Sequence, residues 1–260
     1  MNFGLNLYSI RNLISTEEDF LKTAIKLREM GYSHMQFSGA EYDVDKIKRV
    51  SEASQLPVCL THVPYDRIIN ETQALMEEHA KFDCKYIGLG SIPSQIILDE
   101  IEFKKAVELL NKAGERMKEN GFKFLYHHHH FEFIKHGGKT CFDYMVENAP
   151  HINFTADTYW LQYGGVEIMS VLEKLNGRIP CVHLKDYKIE FDQEKHFTPT
   201  MTYIGDGLID FKKLIKKMST LGVEYYLVEQ DNAANMPDPL SQVEKSILYL
   251  KRILKKEERL

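Results

Sequence analysis

Short apolar runs and longer stretches of mixed apolar and polar residues alternate along the whole chain. The runs at 3–8, 33–37, 57–62, 85–89, 122–127, 152–157, 179–184 and 225–229 are rich in Val, Ile, Leu and aromatic residues, the composition of buried strands. Between them lie segments whose apolar residues recur near every 3.6 positions, the period of a helix with one buried face: 17–30, then about 44–54, 70–82, 97–119, 140–148, 166–175, 209–221 and 239–255. In the first of these Phe20, Ala24, Ile25 and Leu27 form the inner stripe, and Ser15 or Thr16 is placed to cap its start. Gly31, Gly121, Gly177 and Gly222 fall just past predicted helices, where a left-handed residue ends the turn.

Eight strand–helix units in 260 residues predict a parallel sheet covered by helices, and this number and length match a single (β/α)8 TIM barrel over 1–260. An open, doubly wound sheet would bring a glycine-rich first turn, but the first strand runs into YSIRNLIST, without a GxGxxG. No linker-like segment divides the chain. A composition of 43% hydrophobic and 27% charged residues is that of a globular protein. No apolar run reaches the roughly 18–20 residues that span a bilayer, and the N-terminal residues do not read as a signal peptide. The expectation is a cytoplasmic protein without a membrane partner. A net charge of −5 offers no field for nucleic acid, and the basic cluster Lys251, Lys255 and Lys256 is diluted by Glu257 and Glu258. The four cysteines form no CxxC pair, and Cys59 and Cys181 lie inside predicted strands, which points to reduced, structural thiols.

The chemistry collects where the runs end. The strand ends read Tyr8, Gln36, His62, Gly88–Gly90, His127–His130, Asp157, His183–Lys185 and Glu229–Asp231, all of which a barrel gathers at one mouth. A polar group at the end of a buried strand costs several kcal/mol unless it is paired or ligates something. Imidazole and carboxylate together suit Mn, Co, Fe or Zn better than Ca. Taken singly, each has an ordinary alternative: Asp157 caps the next helix, His183 is a satisfied core histidine, Lys185 and Asp186 form a surface turn. Lys185 follows His183 by two positions and so points to the same face. Alternation also places His127 and His129 toward the mouth and His128 and His130 away from it. The stretch 188–203 reads as a long loop, either a lid or an inert insertion.

LNLYSIRN, YHHHHFEF, DTYWLQYGG, GRIPCVHLKD, GDGLIDF and YYLVEQD, taken together, resemble the sugar phosphate isomerase/epimerase family of xylose isomerase-like TIM barrels over nearly the whole chain. The resemblance implies one divalent ion, Mn2+ first, with Co2+, Fe2+, Zn2+ or Mg2+ as substitutes. Asp157, His183 and Glu229 match three of its ligands. Where many epimerases carry Glu at the fifth strand, this chain has Tyr126 and His127, within a YHNH.FEF-type motif whose third position is His128. His127, His129 and Glu132 are candidates for the fourth ligand, and His127 is assigned to it. Gln36 stands where epimerases of this group often show Glu.

The activity implied is isomerisation or epimerisation of a sugar or keto-sugar through an enediolate, with the metal as Lewis acid. In that scheme Glu229 is the base, and His129 and Glu132 orient or protonate the substrate. His62 meets a hydroxyl, Trp160 and Tyr8 offer flat faces to a sugar ring, and Lys185 binds a hydroxyl or phosphate. A lyase of the inosose dehydratase or 3-keto-glycoside type is the alternative, because it needs only one base. A non-catalytic sugar-binding barrel is a third reading. An apurinic endonuclease is remote, given the scarcity of further ligands and the negative charge. The expected partner is a small sugar, and such barrels commonly form homo-oligomers.

Overall fold

The computed structural model describes residues 1–191, 194 and 196–257. Eight parallel strands close into a barrel in sequential order: β1 (Asn2–Asn6), β2 (His34–Phe37), β3 (Val58–His62), β4 (Tyr86–Leu89), β5 (Lys123–His127), β6 (Asn153–Asp157), β7 (Cys181–Leu184) and β8 (Tyr225–Val228). β8 pairs with both β7 and β1, which completes the ring. The register is continuous except between Met35 and Gln36, where β2 and β3 slip by one residue.

The helices follow the predicted stripes and explain their own ends. Thr16 caps Glu17–Met30 by accepting the Asp19 N–H, and Gly31 closes it in the left-handed region. Phe20, Ala24 and Leu27 are buried as the stripe requires. One predicted helix divides. Asp99 takes an extended backbone and accepts the N–H groups of Ile101 and Glu102, so 97–119 becomes Ser94–Leu98 followed by Glu100–Glu119. The stretch 70–82 is the helix Thr72–Ala80, and a separate short helix, Tyr65–Asn70, precedes it.

The first strand is shorter than its apolar run. Asn6 accepts the Tyr8 N–H, and Leu7–Leu13 coils into a 3-10 helix. The predicted long loop at 188–203 is mostly a β-hairpin, Asp186–Phe191 against Phe197–Thr202. Its base is fixed by Asp186, a buried carboxylate that accepts N–H groups from Tyr187, Gly205, Gly207 and Ile209. Residues 192, 193 and 195 of that stretch lie outside the described residues.

The core has two parts: a large layer between strands and helices, and a small plug inside the barrel made of Cys59, Leu60, Tyr86, Leu125, Cys181 and Leu227. All four cysteines are buried and free. Among the described residues no helix is long and apolar enough to cross a membrane.

Candidate active site

The strand ends converge as the alternation demands. One ligand atom from each of His127, Asp157, His183 and Glu229 lies within 4.8 Å of the others, and all four residues are buried. Asp157 sits at the centre. Its Oδ2 is 3.1 Å from His127 Nε2 and 3.7 Å from His183 Nδ1, while His183 Nδ1 is 2.8 Å from Glu229 Oε2. The other Asp157 oxygen, Oδ1, accepts the N–H groups of Tyr159 and Trp160 and so caps the helix Thr158–Tyr163. The two accounts of this residue, cap and ligand, are therefore compatible, since the cap uses one oxygen and leaves the other toward the tetrad.

Lys185 completes the charge pattern. Its buried ammonium is 3.2 Å from Asp157 Oδ2, 3.2 Å from Glu229 Oε2 and 2.9 Å from Asp231 Oδ1. Burial opposes ionisation of Asp157 and Glu229, but Lys185 and the neighbouring histidines outweigh it and hold both carboxyls well below their ordinary range. Burial dominates at Asp231, whose carboxyl rises to about 6 despite Lys185. Burial also lowers His127, and the nearby His183 adds to this against the pull of Asp157. At His183 burial pulls the other way from Glu229 and Asp157, and the carboxylates prevail, raising it.

These donors fit a divalent cation. Glu229 Oε2 and His183 Nδ1 are buried and close, yet neither makes a hydrogen bond. Glu229 Oε2 has the Lys185 ammonium at 3.2 Å, but ligand lone pairs crowded together at such depth are costly unless a further cation satisfies them. Two imidazoles and two carboxylates in a tetrad suit a first-row divalent ion or Mg2+.

Around this group the remaining sequence-predicted residues divide. His62 joins the site: its ring centroid is 5.5 Å from that of His127 and 5.8 Å from that of His183. A Cβ at Gly88 would come within 2.9 Å of its ring, and one at Gly90 within 3.3 Å, so these glycines make room for it. His62 Nε2 is buried and unpartnered, and burial keeps the ring neutral. His129 packs edge-on against His127 at 4.6 Å, and its Nδ1 is also buried without a partner. Trp160 lies under the Lys185 ammonium at 5.4 Å, with a third unpartnered buried group, its indole N–H.

Glu132 and Tyr8 are placed otherwise. The Glu132 carboxylate accepts the Tyr126 O–H at 2.6 Å and the His129 N–H at 2.7 Å, and it is outside the tetrad. Burial raises it to about 7. It braces the end of β5. Tyr8, carried off the strand by the 3-10 turn, is 38% exposed, and Arg11 covers its ring at 4.3 Å.

Other strand-end residues contribute although the sequence pattern gave them no role. His128 turns away from the mouth, as alternation requires, and its Nε2 accepts the Asp157 N–H at 3.1 Å. Gly90 contributes its carbonyl oxygen, 3.2 Å from His127 Nδ1. Gln36 Oε1 lies 2.6 Å from His183 Nε2. Asp231 holds Lys185. Position at a strand end was the available signal for Gln36 and Asp231; their partners lie far away in the chain.

A closed eight-stranded parallel barrel with a buried His/Asp/His/Glu tetrad at its C-terminal mouth defines a metal-binding TIM-barrel enzyme. The chain belongs to the xylose isomerase-like TIM barrel family, whose profile matches residues 25–253. It is 29% identical to the inosose dehydratase of Clostridium perfringens (strain ATCC 13124) over 278 residues, covering 95% of this chain and 85% of that one. Among solved structures it is similar to a sugar phosphate isomerase/epimerase from Parabacteroides distasonis ATCC 8503, with TM-score 0.79, 22% identity, and coverage of 95% and 92%. A xylose isomerase-like TIM barrel protein from Mycobacterium smegmatis, in complex with magnesium, aligns with TM-score 0.71 and 14% identity, covering 98% of this chain and 97% of that one.

Proposed function

We propose that the protein is a metal-dependent lyase that removes water from a polyhydroxylated ketone, a keto-cyclitol or keto-sugar. The observation that carries this is the donor set: β5 supplies His127 where a two-base epimerase supplies a second carboxylate, which leaves Glu229 as the one ligand carboxylate free to act on a C–H bond. Asp157 is unsuited, since one of its oxygens is committed to the helix cap and the other to the tetrad. Dehydration needs one base and one acid, whereas epimerisation needs a base on each face of the carbon. The likeness to inosose dehydratases supports the same class.

His127, Asp157, His183 and Glu229 would hold a divalent ion, Mn2+ first, which when bound supplies Lewis acidity toward the substrate carbonyl. Glu229 takes the proton from the carbon next to that carbonyl. The Lys185–Asp231 pair, 2.9 Å apart, lies beside Glu229 and delivers a proton to the departing hydroxyl, so the C–O bond breaks as the C=C bond forms and water leaves. Low-dielectric surroundings strengthen the Lys185 charge at that oxygen. His62, His129 and Trp160 present unpartnered polar atoms to the substrate hydroxyls, and the indole face packs against its ring. Glu132 acts indirectly by fixing the backbone at His129, and Tyr8 lines the outer rim.

Isomerisation or epimerisation is the second reading, favoured by one observation. His129 is neutral, and its Nδ1 is buried and unpartnered beside His127, placed to serve as a second proton carrier. Mass spectrometry of an inosose and a panel of ketoses, incubated with Mn2+-loaded enzyme in deuterated buffer, separates the readings. Loss of one water supports the lyase. A product of unchanged composition that has gained deuterium replaces it with the isomerase. Saturable binding without turnover or exchange would make this a sugar-binding barrel.

A further inference from the structure

Each of the two histidines in the tetrad has a second ring nitrogen, and the protein engages the two in different ways. His127 Nδ1 faces the Gly90 carbonyl oxygen at 3.2 Å. A main-chain carbonyl accepts only, so with an ion at the tetrad Nδ1 would carry the proton and Nε2, 3.1 Å from Asp157 Oδ2, would offer its lone pair to the ion. His183 is turned the other way round: Nδ1 faces the carboxylates, and Nε2 lies 2.6 Å from the side-chain oxygen of Gln36. Gln36 is wholly buried on β2, immediately after the point where β2 and β3 slip register. Bulges of this kind re-aim side chains beside active sites.

We propose that Gln36 is a positioning residue of the metal centre: its carboxamide oxygen takes the N–H of His183 Nε2 and thereby holds the Nδ1 lone pair toward the ion. This rests on the metal-binding reading given above. Such an outer partner fixes the ring's orientation and its tautomer together. The choice of a neutral acceptor follows from the charges present. With a divalent ion, the carboxylates of Asp157 and Glu229 are matched, and Lys185 is matched by Asp231. A carboxylate at position 36 would accept the same N–H but add an unmatched negative charge at a buried position. Gln36 therefore sets geometry without tightening the site electrostatically.

The test is metal affinity, measured by competition with a chromophoric chelator using Zn2+ and Mn2+ as probes. It is applied to wild type, Gln36→Met and Gln36→Glu, together with imidazole N–H resonances of the Zn2+-loaded proteins. Gln36→Met keeps volume but removes the acceptor, and its affinity is expected to fall about 10–100-fold. Gln36→Glu restores an acceptor and is expected to bind at least as tightly as wild type, which a merely space-filling role would not produce. Zn2+-loaded wild type should show a solvent-protected N–H on His183 Nε2. Affinity in Gln36→Met within about twofold of a wild type that does bind metal overturns the inference and leaves the metal reading standing. A wild type that takes up no ion overturns both. If Gln36→Met fails to fold, the wild-type resonance and the Gln36→Glu affinity decide: absence of the protected N–H, or a weakened Glu variant, overturns it.

Discussion

The two ends of the barrel are built by the same strands and held by different forces. On four strands the inward-facing position changes character over one two-residue step: Leu125 to His127, Thr155 to Asp157, Cys181 to His183, and Leu227 to Glu229. Below the step, Cys59, Leu60, Tyr86, Leu125, Cys181 and Leu227 close the interior against Tyr225. That plug is stabilised by removing apolar surface from water, which has no preferred direction, so shape and volume are all it asks of each residue. Above the step four side chains are aimed by named partners: His127 by Gly90, Asp157 by the helix start, His183 by Gln36, Lys185 by Asp231. A floor needs only to be filled, whereas a site needs directional contacts, and a single two-residue step separates the two regimes.

The largest effect expected at the upper end is loss of metal. Asp157→Ala and His183→Ala should each reduce metal affinity by more than the about 10–100-fold of an outer-shell loss, read as metal content after gel filtration. Asp157→Ala should also lower stability by about 1 kcal/mol through the lost cap. Asp157→Asn retains a capping oxygen, so it should lose metal without that penalty. Full metal retention in both Asp157→Ala and His183→Ala would remove the distinction between the two ends.

At the lower end Leu227→Ala should cost about 2–5 kcal/mol. Leu227 is fully buried and packs so closely that its side chain would collide with any Cβ at Gly4. Chemical denaturation reads the cost, and metal affinity of the folded fraction should be unchanged. A variant that folds but has lost its ion would show that floor and site are one cooperative unit.

The fold was legible because its signals are local. Alternating runs and 3.6-residue stripes located all eight barrel strands, and Thr16 and Gly31 bounded the first helix. What the pattern missed were ends decided by single side chains: Asn6 turning the chain at Tyr8, and Asp99 restarting a helix. The hairpin at Asp186–Thr202 was missed for a related reason, since its base depends on Asp186 reaching residues 205–209.

At the site, strand-end position brought Asp157, His183, Glu229, His127 and His62 to one mouth. Contacts across the barrel were not legible in the same way. Gln36 meets His183 from 147 positions away, and Lys185 meets Asp231 from 46. Glu132 shows the limit most clearly. It follows the histidine run closely enough to be taken for a site residue, yet its chain turns through Phe131–Phe133 and delivers the carboxylate to Tyr126 and the His129 N–H.

Glu132 also supplies the smallest of these tests, at the border between the two regimes. It is a directional group in a place where burial dominates, and burial lifts its carboxyl from 4.5 to about 7, even though the Tyr126 O–H and His129 N–H favour the charge. A carboxyl whose folded value is raised is more protonated in the folded state than in the unfolded one. Its contribution is therefore fullest below about pH 4.5 and is lost as pH rises through about 7, an effect of roughly 1–3 kcal/mol. Glu132→Gln cannot ionise and can still offer one acceptor and one donor. Metal-free wild type and Glu132→Gln should thus lie close in denaturant midpoint at pH 5, and the variant should be the more stable at pH 8. A difference independent of pH would mean that the two hydrogen bonds, rather than burial, control this carboxylate. The directional regime would then extend one residue shell further from the metal site than the floor-and-site division allows.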